Sequence, residues 1–84
     1  MDQPGDPVVT ALLAENEAFR RQKESHQRYE KLLQELARRP HLTPDEEMER
    51  KKIQKLKLAA KDRMERMIVA YRRRAAEAEG GRTP

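Results

Sequence analysis

The stretch Pro40-His41-Leu42-Thr43-Pro44-Asp45-Glu46 most constrains what this chain can fold into, because it tells one helix to stop and another to start. Proline at 40 lacks a backbone donor and pushes Arg39 out of the helical region, so a helix arriving from the N-terminal side ends there. Pro44 suits the first position of a new helix. Thr43 before it can cap the free amides, and Glu46 can accept from the Thr43 amide in return, which makes a capping box. Asp45, Glu46 and Glu47 oppose the positive end of the new helix dipole. Ordinary helix-start chemistry therefore accounts for this acidic cluster without a metal or a catalytic role.

Two arms leave the turn, which is expected at residues 39–43. Residues 1–6 contain Pro4, Gly5 and two acids without periodicity and read as a disordered lead-in. Asp6 can cap the first arm with Pro7 at its first helical position. Asn16 leaves two alternatives open. The first arm runs on as one helix, or it breaks there and Asn16 caps a second helix beginning at Glu17. Nothing else interrupts it up to Arg38, and a continuous helix over 7–38 would be about 48 Å long. The second arm keeps its apolar stripe as far as Tyr71, continues in good helix formers and ends at Gly80-Gly81. One domain over 7–78 and a disordered tail over 79–84 are expected.

Stepped by alternating threes and fours, the inner seam of the first arm reads Leu12, Glu15, Phe19, Gln22, His26, Tyr29, Leu33, Leu36. That of the second reads Met48 or Glu49, Ile53, Leu56, Ala60, Met64, Met67, Tyr71, with Leu58 and Ile68 at its flanks. Folding the arms back antiparallel sets Leu33 against Ile53, Tyr29 against Leu56, His26 against Ala60 and Phe19 against Met67. The expected fold is thus all-α, an antiparallel, coiled-coil-like helical hairpin. Such a chain has a small core: of its 84 residues only 36% are apolar and 40% are charged. Apolar residues nevertheless exceed one seam per arm. This predicts pairing of two hairpins into a four-helix bundle, with Leu32, Leu58, Met64, Met67 and Ile68 as the self-association surface.

Asn16-Glu17-Ala18-Phe19, His26 with Tyr29-Glu30, Leu42-Thr43-Pro44-Asp45-Glu46-Glu47 and Lys57-Leu58 with Lys61-Asp62-Arg63-Met64 together form a pattern that resembles the YdcH-like family. The resemblance spans about residues 8 to 70. It implies a small bacterial protein, a helical hairpin or coiled coil, of a family with no established activity, cofactor or catalytic residue to carry over.

Positive charge is concentrated on the second arm. Residues 50–74 hold eleven Lys and Arg against Asp62 and Glu65, a local net of +9 where the whole chain has +4. A stripe of this kind can follow the phosphates of nucleic acid, and Arg50, Lys51, Lys55, Lys57, Lys61 and Arg63 are its candidate contacts. There is no groove-reading motif, aromatic platform or phosphate-cradling glycine loop beside it. A charged outer face is also what any solvated helix carries.

His26 sits on the seam without a partner set for catalysis: the chain has no cysteine, and adjacent Ser25 cannot face the same way on a helix. A partly buried histidine that fixes register, or contacts a second subunit, is the favoured reading. His26 and His41 lack the carboxylate spacing of a metal site. No metal, cofactor, small-molecule substrate or enzymatic activity is expected. The lack of cysteine favours a reducing compartment, and no apolar run approaches the roughly 18 residues of a membrane span, so a cytoplasmic protein with little affinity for membranes is expected. Composition, seam and charge support two functional readings. The first is a non-enzymatic oligomerisation or protein-interaction module, with itself or another helical protein as partner. The second is a small basic protein that binds nucleic acid through its backbone.

Overall fold

The computed structural model describes residues 5–80, which form three helices and, among them, no strand: α1 Pro7–Glu15, α2 Glu17–Ala37 and α3 Pro44–Gly80. The expected lead-in falls mostly on residues 1–4 and the expected tail on 81–84, which lie outside the described residues. Glu79 and Gly80, assigned to that tail, are helical.

Each start is chemical. The Asp6 carboxylate accepts from the Val8 amide at 3.0 Å, and Pro7 opens α1 where its missing donor costs nothing. At α3 both halves of the capping box form: the Glu46 amide donates to Thr43 Oγ1 at 3.1 Å, and the Thr43 amide donates to Glu46 Oε1 at 2.9 Å. The alternative open at Asn16 resolves as a break. Asn16 has extended backbone, φ −123° and ψ 108°, and its Oδ1 accepts from the Phe19 amide at 3.0 Å. Two long helices therefore become three. α2 ends before Pro40 in a tightened last turn, the Arg38 and Arg39 amides donating to the Glu35 and Leu36 carbonyls at 3.3 and 3.2 Å.

α2 packs along α3, and α1 touches both. Contacts nest around the 38–43 connection: Arg39 pairs with Glu46, Glu30 lies 4.0 Å from the Lys57 ammonium, and Asp6 lies 3.7 Å from the Arg72 guanidinium. The resulting body measures 64 × 20 × 18 Å. Its radius of gyration is 17.2 Å, where a compact chain of this length would have about 12 Å.

The core is unevenly spread along this rod. Val9, Leu12, Phe19, Met64 and Ile68 form a buried cluster at the α1 end, with Val8, Leu13, Met67 and Tyr71 packed against it. In the middle the buried pair is His26 and Ala60, and toward the connection only Ile53 is fully covered. The α3 seam departs from expectation by one residue at two places. Lys57 is half-buried where Leu56 was expected, and Ile68 is buried while Met67 is half-buried. Both stripes pass through 53, 60, 64 and 71 at the same mean spacing and differ only in where the three-residue steps fall: a side chain one residue on is turned about 100° round the helix, and packing against α1 and α2 covers 57 more than 56 and 68 more than 67. Lys57 tolerates the position because its aliphatic stem can lie over the core while its ammonium reaches Glu30.

Candidate functional site

The charges and apolar side chains left on the outside of this small core are the features open to a partner. Leu32, Leu56 and Leu58 are exposed, as are Met48 and Val69, the last two at 70% and 54%. Of the five residues expected to form a self-association surface, Leu32 and Leu58 are thus on the outside. Met64 and Ile68 are not: they are buried against α1 and α2 inside a single chain, and Met67 is half-buried beside them. α1, which folds over this end once the helix breaks at Asn16, is what covers them.

Leu32 and Leu58 also lie on different sides. A shallow cleft of about 240 Å³ beside the connection is lined by Leu32, Leu36, Ile53 and Glu49, with Glu35 and Arg39 at its rim. Leu56 is two turns beyond Glu49 and hence on the same side of α3, so it extends this flank. Leu58 is two residues further on, about 200° round the helix. It belongs with Met48, Lys51, Lys55, Asp62, Arg66, Val69 and Arg73, whose spacing of threes and fours marks the face of α3 turned away from the core.

The basic residues divide into two groups. Arg50, Lys57, Arg66 and Arg72 stand within 4.0 Å of Glu47, Glu30, Asp62 and Asp6 respectively. Lys51, Lys52, Lys55, Lys61, Arg63, Arg73 and Arg74 form no ion pair among the described residues and are exposed. Arg50 and Lys57, both expected as anion contacts, are therefore already engaged. Lys51, Lys55, Lys61 and Arg63 are open to solvent.

His26 is 5% exposed, and its Nδ1 lies 3.8 Å from Glu30 Oε1, the same oxygen that faces Lys57. Glu30 thus lies between the buried histidine and Lys57 of α3. His41 is exposed in the connection, and no group of three or more His, Cys, Asp or Glu among the described residues could hold a metal ion.

Arg20 is a contributor that the sequence did not single out. Its guanidinium spans the break and donates to the Leu13 and Ala14 carbonyls at 2.8 and 3.3 Å, satisfying the end of α1 from within α2. Its signal, an arginine four residues after a candidate cap, is too common to have marked it. Compared with known proteins, the chain matches no family model, no curated protein and no solved structure.

Proposed function

We propose that this chain is a non-enzymatic antiparallel helical hairpin of the YdcH-like kind, working in the cytoplasm as an oligomerisation and protein-interaction module. Two copies pair about a two-fold axis into a coiled-coil-like four-helix bundle. The observation that carries this reading is the exposed flank of Leu32 and Leu56 beside the cleft at Leu36 and Ile53, at the end of the rod where one chain covers least. A single core in a chain this small supplies only about 3–5 kcal/mol, so an additional apolar contact matters to its stability. Pairing through this flank leaves the outer face of α3, with Leu58 and Val69, toward solvent.

Sedimentation equilibrium at micromolar concentration tests the proposal. A mass of two chains is expected. A mass of one chain that stays helical and cooperative refutes self-pairing and assigns the flank to a different helical protein.

A second reading, binding of nucleic acid through backbone electrostatics, draws on the seven exposed basic residues of α3 that have no acidic partner among the described residues. Affinity for duplex DNA or RNA would then fall steeply from low to moderate salt. Helix pairing through apolar side chains would not.

A further inference from the structure

We propose that α1 is an exchangeable arm, which a second copy of this chain can supply to the groove between α2 and α3. The construction of the break points to this. Helical bonds run up to it and resume immediately after it: the Asn16 amide donates to the Leu12 carbonyl at 2.8 Å, and the Arg20 amide donates to the Asn16 carbonyl at 3.2 Å. Only the three bonds from the amides of Glu17, Ala18 and Phe19 to the carbonyls of Leu13, Ala14 and Glu15 separate α1 and α2 from one continuous helix. Side chains take the place of part of them. The Arg20 guanidinium occupies the Leu13 and Ala14 carbonyls, and Asn16 Oδ1 takes the Phe19 amide. Rotation at one residue, Asn16, exchanges these side-chain bonds for backbone ones. The neighbours Ala14, Glu15, Glu17 and Ala18 are all good helix formers. Three of the six polar groups thus keep a protein partner in the bent form, which lowers the cost of passing between bent and straight.

Straightening has one loser, the apolar face of α1. In the register set by Glu30 and Lys57, a straight arm would bring Val9 and Leu12 opposite Ala78 and Ala75, on the stretch of α3 that carries no apolar stripe. At the same time the groove of Phe19, Met64 and Ile68 would lose its cover. The segment shaped for that groove is α1 itself, with Val9 and Leu12 to fill it and Asp6 to meet Arg72. A second straightened copy presents that segment. Two chains that trade arms recover every buried contact of the closed form and add the continuous backbone bonds, which is the condition for exchange of an identical element. The product is joined end to end at the α1 ends, so it is independent of lateral pairing through Leu32 and Leu56.

The chain contains no cysteine, so introduced thiols are unique. Single variants D6C and R72C, co-refolded and treated with a short bismaleimide, should give a covalent product of two chains whose yield rises with protein concentration. N16A removes the cap that holds the bend and should raise that yield roughly fivefold. The double variant D6C/R72C, linked within one chain at low concentration, shows that the two positions are in reach. Exchange is overturned if the mixed single variants never link while the double variant does. It is equally overturned if N16A leaves the yield unchanged, or if the double variant fails to link at all, since α1 then does not sit on α3. A two-chain mass with links only inside chains overturns exchange and leaves lateral pairing standing. L56E separates the two in the other direction, abolishing lateral pairing while the arm-exchange product persists.

Discussion

Truncating Leu12 to alanine asks how firmly α1 is seated. Leu12 is 1% exposed and packs in the cluster with Val9, Phe19, Met64 and Ile68, and it is one of only two fully buried residues that α1 contributes. Leucine-to-alanine changes in a closed core cost about 2–5 kcal/mol, the upper part of that range arising from cavities that cannot collapse. This site can relax. Leu12 also lines an open cleft with Glu15, Asn16, Tyr71 and Ala75, so water and neighbouring side chains can enter the space it leaves. The expected loss is therefore at the lower end, about 2 kcal/mol. α1 has nine residues and is too short to persist undocked, so its amides should become exchangeable as a block. Thermal melts followed by circular dichroism at matched concentration should show L12A melting roughly 8–16 °C below the parent. Hydrogen exchange should show protection lost in residues 8–15 before it is lost in α2 and α3. A melting temperature within about a degree of the parent, with α1 amides still protected, would refute the docking of α1.

Three further outcomes follow from the same contacts. T43A removes the hydroxyl that accepts from the Glu46 amide and should cost about 1 kcal/mol, and a melt superimposable on the parent would place the N-cap elsewhere. L32E and L56E should each shift sedimentation toward a one-chain mass while L58E leaves it unchanged; an effect of L58E equal to that of L56E would move the interface to the outer face of α3. Replacing Lys51, Lys55 and Arg63 together by alanine should lower nucleic-acid affinity and flatten its salt dependence by roughly three charges, and an unaltered slope would remove those residues from any phosphate contact.

The features legible in the sequence were those whose cause is local. Thr43, Pro44 and Glu46 specify a helix start through bonds that span three residues, and that start forms as expected. Glu17 with Arg21 and Asp62 with Arg66 pair at one turn's distance, at 2.8 and 3.0 Å. Glu46 and Arg39, by contrast, meet each other across the connection, a pairing made by how the helices converge. The seam moved from Leu56 to Lys57 for a similar reason: both lie at the edge of the same stripe, and which of two adjacent residues is covered is set by how the partner helices pack, not by the spacing along α3. At Asn16 the local terms for break and continuity were balanced. The decision came from Phe19, Met64 and Ile68, whose burial depends on α1 folding back over them. That contact joins residues more than fifty positions apart, and no local pattern announces it. It is also why Met64, on the expected seam, and Ile68, at its flank, were assigned to a self-association surface.

The thinness of the rod has a consequence for how such a chain changes over generations. Among the described residues burial holds seven apolar residues and His26 in place, and the caps hold a few more, while most of α3 between Ile53, Ala60, Met64 and Ile68 is exposed. Substitutions at exposed helix positions usually alter stability by less than about half a kcal/mol, so selection for the fold alone leaves them nearly free to drift. Two such rods of common descent could therefore keep their shape while retaining little identity beyond the spacing of a proline, a cap and a handful of apolar residues.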